Sequence, residues 1–225
     1  MGLDWIDVIE QHIADRSMDL LKTLLKDKST GSYIKWATDN YTSYGEMYAS
    51  DCEMNPNLVI GKFTTVIQPR VSKSQEEQLR RTRDKAEVFT PAWVVNLQNN
   101  TIDAAWFGKD NVFNTPIKQS WIASKEQICF SEGKNWEKYV DAKRLEVSCG
   151  EAPYLVNRYD AVSGKSIPVM ERVGLLDRKL RVINENVENE NEWSNWVTRA
   201  FQSIYGFEYQ GDNVLIAREN LLYTY

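Results

Sequence analysis

The stretch Arg144-Leu145-Glu146-Val147-Ser148-Cys149-Gly150-Glu151-Ala152-Pro153 is where the architecture of this chain becomes readable. Leu145-Glu146-Val147-Ser148 has the pattern of a short buried strand, and it runs into a small-residue turn at Cys149-Gly150. Further along, Ile204-Tyr205-Gly206-Phe207-Glu208 reads as a second short strand that ends in a carboxylate. A helix comes next over residues 212–223, with Val214, Leu215, Ala217, Leu221 and Leu222 mostly inward. Between the strands, residues 169–205 predict two helices separated by the Asn/Glu-rich stretch 184–192, a solvated loop. Strand–helix–strand–helix order predicts parallel pairing in a doubly wound α/β sheet.

Upstream of the first strand, a short helix is predicted over residues 136–142. The segment Ala86-Glu87-Val88-Phe89-Thr90-Pro91-Ala92-Trp93-Val94-Val95-Asn96 predicts a helix start, with Thr90 as N-cap and Pro91 as first helical residue. Val94, Leu97 and Thr101, beside Trp93 and Ala104, form the expected buried stripe, and a mixed loop region comes after it. Nearer the N-terminus, Ile6, Ile9, Ile13, Leu20, Leu21, Leu24 and Leu25 predict one helix over residues 4–28, stopped by Ser29-Thr30-Gly31-Ser32. Residues 33–54 are aromatic and irregular (Trp36, Tyr41, Tyr44, Tyr48), with no period that places them. Phe63-Thr64-Thr65-Val66-Ile67 reads as a strand closed by Pro69. Residues 72–85 read as a polar helix with Lys73, Arg80, Arg81, Arg83 and Lys85 balanced by Glu76, Glu77 and Asp84. A phosphate-contacting arm is one reading of it; a solvated face with i,i+4 pairs is the favoured one. The expected division is an N-terminal helical and mixed extension, residues 1–85, and a domain over 86–225.

Bulk properties narrow the function classes. A chain of 225 residues with 42% hydrophobic residues can bury a substantial core and is no disordered segment. No apolar run reaches the ~20 residues that span a bilayer, so no membrane partner is expected. The sequence from Met1 shows no signal-peptide pattern, and a myristoylation reading of Gly2 is set aside because Ile6 stands where Ser or Thr is needed. Cys52, Cys129 and Cys149 are odd in number and far apart, which argues against a disulfide framework or zinc site and for a cytoplasmic location. His12 is the only histidine and lies on the expected first helix, which makes triad chemistry a poor fit. The net charge of −5 lacks the basic balance of a stand-alone duplex binder. Any DNA contact is therefore expected from a local patch, a missing region or a partner subunit.

The two strand ends suit one kind of ligand chemistry. A glycine turn after the first strand lets the backbone approach a ligand, and a carboxylate after the second can accept both ribose hydroxyl protons. Glu146-x-Ser148-x-Gly150 meets the first requirement and Gly206-Phe207-Glu208 the second. In order and content these segments resemble the cofactor half of S-adenosylmethionine-dependent DNA adenine-N6 methyltransferases of restriction–modification systems. Val88-Phe89-Thr90-Pro91 is similar to the segment that precedes their first strand and packs against the methionine end of the cofactor. Glu146-Val147-Ser148-Cys149-Gly150 is similar to their Asp-Pro-Ala-Cys-Gly-(Ser/Thr)-Gly turn. Gly206-Phe207-Glu208 and Ala217-Arg218-Glu219-Asn220-Leu221-Leu222 are similar to their second strand and the helix after it. The whole chain resembles proteins described as restriction endonuclease subunit M, notably at Gly150-Glu151-Ala152-Pro153-Tyr154-Leu155 and Gly174-Leu175-Leu176-Asp177-Arg178-Lys179-Leu180.

The resemblance implies a Rossmann-like fold that binds S-adenosylmethionine. Phe89, Thr90 and Pro91 are then expected near the methionine end, Glu146, Ser148 and Gly150 at the turn, and Glu208 on the ribose. In the complete enzyme it implies direct methyl transfer from the sulfonium to the adenine amino group, with catalysis mostly from positioning. This chain departs from the pattern in three places. Glu151-Ala152-Pro153 replaces the second glycine of the turn, residues 157–202 form an insertion before Glu208, and no Asn-Pro-Pro-Tyr or Asp-Pro-Pro-Tyr loop occurs. Asn55-Pro56-Asn57 is not that loop, so no catalytic residue is assigned and the 225 residues are expected to be inactive alone. For Glu146 and Glu208 a second reading stays open, that of strand-end carboxylates capping the next turn. Two rival functions also remain. One is a non-catalytic pseudo-methyltransferase whose unpaired C-terminal sheet edge is covered by a protein partner or a second copy. The other is a Mg²⁺-dependent nuclease using Asp110, Glu132 and Lys134.

Overall fold

The computed structural model describes residues 9–225; Gly2, Ile6 and the start of the expected first helix lie outside the described residues. The elements begin with α1 (Glu10–Arg16), α2 (Met18–Leu25), α3 (Gln75–Lys85) and α4 (Ala92–Phe107). A hairpin of β1 (Asn114–Ile117) and β2 (Ser120–Ala123) comes next, then α5 (Trp136–Asp141) and β3 (Arg144–Val147). The chain closes with α6 (Leu175–Asn186), α7 (Glu190–Gln202), β4 (Ile204–Phe207) and α8 (Gly211–Thr224). The architecture is mixed α/β. In place of the expected doubly wound sheet, the described residues form two two-stranded sheets, antiparallel β1–β2 and parallel β3–β4. Among the described residues no helix is long and apolar enough to cross a membrane.

Contacts divide the chain into two compact units. One joins the described residues up to Val88 to Glu208–Tyr223 and Tyr225; the other is Phe89–Phe207 with Thr224. The first break falls beside the expected boundary at 85/86, but α8, expected in the second domain, belongs with the N-terminal unit.

In that first unit, the single helix expected over residues 4–28 is interrupted at Ser17. Its extended backbone (ψ 112°) ends α1, and its hydroxyl accepts the Leu20 N–H to cap α2. The run Phe63-Thr64-Thr65-Val66-Ile67 is not a strand. Its backbone closes successive tight turns instead, with Phe63 N–H donating to Ile60 and Val66 N–H to Phe63. The aromatic stretch without a readable period forms the core: Trp36 packs on Tyr41 and Tyr48 at ring centroid distances of 5.0 Å. Leu21, Leu25, Met54, Val59, Leu215 and Ile216 complete it. The polar helix is present as α3, capped by Ser74, yet Arg81 is buried rather than solvated. Its guanidinium pairs with Glu87 (2.6 Å) and with Asp212 (2.9 Å), and Asp212 also takes Lys73 and the Tyr41 hydroxyl.

The second unit has a polar interior. The expected stripe on α4 is rotated: Leu97 and Thr101 are exposed, while Val95, Asn96, Asn99, Asp103 and Phe107 face inward. The cause is Arg178 of α6, 1% exposed, which bonds Asp103 (2.6 Å), Asn96 (2.9 Å) and Asn100 (2.8 Å). Tyr139 donates to the other Asp103 oxygen at 2.9 Å, and Asn96 exchanges two 2.8 Å bonds with Asn114. Each neighbour of Arg178 is pinned as well. Asp177 accepts the N–H groups of Gly174 and Asn157, and Lys179 donates to the carbonyls of Val140 and Ala142. Three consecutive charged side chains thus anchor three different segments, an arrangement in which each of these buried charges has partners.

β3 is not the buried strand expected: of its four residues only Glu146 is buried. Glu146 points inward, opposite Gly206, and Leu145 and Val147 are exposed together with their register partners Tyr205 and Phe207. Gly206 makes this possible, because a Cβ there would lie 3.0 Å from Cys149 Sγ and 3.4 Å from Leu155. All three cysteines are free thiols.

Candidate functional site

The parallel register sets the carboxyl ends of β3 and β4 side by side, and the Cys149 N–H extends the pairing by donating to Phe207 at 2.8 Å. From the end of β3 the chain enters a strained turn. Ser148 (φ +55°), Gly150 (+53°) and Ala152 (+64°) occupy the left-handed region at alternate positions. For the two non-glycine residues that conformation costs on the order of 1–2 kcal/mol each. Local bonds hold it: Ala152 N–H donates to Cys149 (2.7 Å), and the Leu155 and Val156 N–H groups to Ala152 (3.0 and 2.9 Å). Such strain persists only where surrounding structure enforces it, and it concentrates at functional positions.

Phe89 meets this turn. A Cβ on Gly150 would lie 3.5 Å from Phe89 Cε1 and Cζ, so the ring covers the glycine at contact distance. The structure therefore brings together Phe89 and Gly150, which sequence reasoning pairs across about sixty residues. Thr90 does not cap α4. Pro91 holds the N-cap position with no side-chain acceptor, and Asp160 supplies the missing carboxylate from far along the chain, its Oδ2 accepting the Ala92 N–H at 2.6 Å.

The two strand-end carboxylates named from the sequence are engaged in their own turns. Glu146 accepts the Tyr154 N–H at 3.4 Å, and Glu208 accepts the N–H groups of Tyr209 and Gln210 at 3.0 Å. Both thus serve as strand-end caps here. Glu208 comes directly after β4 but belongs to the other compact unit, whereas Phe89, Thr90, Pro91, Glu146, Ser148 and Gly150 share one.

Two residues at this site escape sequence reasoning. Tyr159 and Asp160 stand at the start of a small hairpin closed by a Tyr159–Ser166 bridge. The Tyr159 hydroxyl donates to Glu151 at 2.6 Å. Asp160 Oδ1 accepts the N–H groups of Val162 (3.1 Å) and Ser163 (2.7 Å) as well as the Ser163 hydroxyl. Burial works against the Asp160 charge, yet the amides of Ala92 and Ser163 hold its carboxyl below the usual carboxylate range. A signal is present in Asp160-x-x-Ser163-Gly164, an Asx-turn pattern. Nothing in it reveals the long-range amide.

The nuclease triplet consists of two surface carboxylates and a lysine engaged with Trp106. Asp110 and Glu132 are exposed, while Lys134 lies 5.2 Å from the Trp106 ring centroid and donates to the Trp106 carbonyl. Among the described residues no group of three His, Cys, Asp or Glu could hold a metal ion. In the first unit a polar cleft of about 310 Å³ lies beside the Arg81 network, with Tyr41, Tyr44, Lys73 and Arg80 in its wall. No protein-family description, curated protein or solved structure matches the chain.

Proposed function

We propose that residues 1–225 carry the cofactor half of an S-adenosylmethionine-dependent DNA adenine-N6 methyltransferase of a restriction–modification system, within a Rossmann-like domain. They bind the cofactor and transfer no methyl group by themselves. One observation supports this most: a strained left-handed turn at the carboxyl end of a parallel strand pair, with Phe89 packed on its glycine. Open α/β folds bind ligands at such strand ends, and a turn lacking side-chain bulk lets the backbone approach them. The residues present fit the group, because Ser148, Gly150 and Phe89 offer backbone and an aromatic surface at one place. Glu208 enters the reading through its sequence position directly after β4. When bound, S-adenosylmethionine supplies an electrophilic methyl group on a sulfonium. The chain's own part is to hold the methionine end against the turn and exclude water from it.

Calorimetric titration of the purified chain with S-adenosylmethionine tests the reading, with Gly150→Val and Glu208→Ala as controls. Saturable binding lost in both variants is expected; no heat from the wild-type chain would sink the cofactor assignment. A non-catalytic role as an interaction subunit is the second reading. It is favoured by the exposed apolar face formed by Leu145, Val147, Tyr205 and Phe207. DNA is the expected substrate of the complete enzyme in the first reading only, and the cytoplasm suits both.

A further inference from the structure

We infer that Tyr159 and Asp160 form a positioning strap that holds Phe89 against the Ser148–Ala152 turn and so sets the surface offered to the methionine end of the cofactor. The inference rests on the cofactor reading for its purpose, though not for its geometry.

Three chain segments meet at this place. The first is Phe89-Thr90-Pro91, leading into α4; the second is the left-handed turn; the third is the hairpin that begins at Arg158. Adjacent residues of the hairpin reach the other two segments separately. Tyr159 donates its hydroxyl to Glu151 inside the turn at 2.6 Å, and Asp160 accepts the Ala92 N–H at 2.6 Å. The hairpin is itself stiff enough to transmit a constraint. The Asp160 N–H donates to Lys165 at 2.9 Å, the Gly164 N–H to Asp160 at 2.8 Å, and the Ile167 N–H to Arg158 at 2.8 Å. Gly164, at φ +72°, allows the tight reversal.

Both strap contacts answer a need of the segment they touch. Helix α4 begins at Ala92 with Pro91 at its cap, so without Asp160 its first N–H would lack a side-chain acceptor and its positive end a counter-charge. The turn carries Glu151, 2% exposed, and a buried carboxylate needs donors. Supplying both needs from neighbouring residues ties the position of Phe89, just ahead of α4, to the conformation of the turn. The same contact constrains the ligand. Because the Asp160 carboxylate occupies the start of α4, that helix end is taken and disfavours the anionic group of the methionine tail.

Amide hydrogen exchange in the free protein tests the strap without any ligand. In Asp160→Ala, exchange at Ala92 must quicken directly; the informative amides are those of Cys149 and Ala152, on the far side of the strap. They are expected to quicken about tenfold or more, the scale of one charge-assisted hydrogen bond. Tyr159→Phe, which keeps the ring and removes one hydroxyl, is expected to quicken Ala92 reciprocally. Asp160→Asn, whose amide oxygen can still accept, should restore most of the protection. Changes confined to each residue's own partner would overturn the inference. Titration with S-adenosylmethionine then separates the two ideas. Binding by the wild-type chain that weakens about tenfold in Asp160→Ala and Tyr159→Phe, and recovers in Asp160→Asn, supports both. Wild-type binding that both variants retain in full overturns the positioning role alone. No wild-type binding overturns the cofactor reading, while the exchange pattern still decides the strap.

Discussion

Glu219 is fully buried, and among the described residues neither of its carboxyl oxygens has a hydrogen-bond partner. Burial first, and the charge of Glu10 second, push it well above the ordinary carboxylate range; burial likewise raises Glu10 to about 8. In the folded chain these groups hold protons that the unfolded chain releases near the ordinary glutamate value of 4.5. These two carboxyls therefore bind more protons in the folded state between about pH 5 and 8, and the stability they contribute falls as pH rises through that window. The melting temperature is expected to decline from pH 5 to 8, and Glu219→Gln should flatten the slope and raise the midpoint at pH 8. Asp177, raised to about 6 by burial, adds to the decline and Lys179, lowered to about 7 by burial, opposes it above pH 7, both equally in the two proteins, so the difference between them reports Glu219 and its pairing with Glu10. Parallel profiles would refute the assignment. Arg178 presents the opposite case, a buried charge held by three partners. Removing it in Arg178→Met strands Asp103 and should cost about 3–5 kcal/mol in denaturant unfolding. Adding Asp103→Leu to that variant should recover part of the loss, since neither charge of the pair is then left buried alone.

At the scale of elements, backbone approach matters more than propensity. Gly211 opens α8, and its N–H donates to the Trp36 carbonyl at 3.1 Å. A Cβ there would overlap the Lys35 carbonyl oxygen, a backbone atom that cannot step aside alone, and lie 2.9 Å from Sδ of the fully buried Met54. Gly211→Ala is expected to destabilise by about 3 kcal/mol despite alanine's better helix propensity, measured by thermal unfolding. A neutral effect would mean that α8 does not pack on that strip. The same distinction separates the elements that sequence reveals from those it conceals. Helices α5 to α8 and strand β4 are readable in the sequence, although the loop expected over residues 184–192 shrinks to 187–189, because α6 runs on to Asn186 and α7 starts at Glu190. The face of α4 reads wrongly because Asn96, Asn99, Asn100 and Asp103 carry the helical period usually left to solvent, and partners far along the chain draw them inward: Arg178 at Asn96, Asn100 and Asp103, and the carbonyls of Tyr154 and Val173 at Asn99. The β1–β2 hairpin is invisible because its reversal uses Lys118, at φ +50°, where a glycine or asparagine would signal the turn. The strand-like run at 63–67 comes after Gly61, whose φ of +63° starts a series of tight turns that no apolar pattern discloses.

For the whole molecule, the candidate site is legible in the sequence as a set of segments but not as a set of bonds. Phe89, Ser148 and Gly150 can be named because a glycine turn after a strand has a local signature, and the ring-to-glycine contact joins them. Tyr159 and Asp160 cannot, because a hydrogen bond between residues 92 and 160 leaves no periodic trace. The membership of α8 in the N-terminal unit is equally hidden, since it depends on Leu215 and Ile216 finding Trp36 and its neighbours rather than on any boundary signal. The largest departure from an ordinary parallel sheet lies on β3 and β4. Parallel strands are normally covered on both faces, yet Val147 is 69% and Phe207 64% exposed, with Leu145 and Tyr205 beside them. A fluorescent dye that brightens on apolar surface should therefore bind the native chain, and Val147→Thr combined with Phe207→Thr should abolish most of the signal. Because these side chains are exposed, the double variant should move the melting temperature by no more than about 2–4 °C. Undiminished dye binding would move the principal apolar surface elsewhere, to Ile122, Val169 and Met170, and remove the main support for an interaction role of the sheet face.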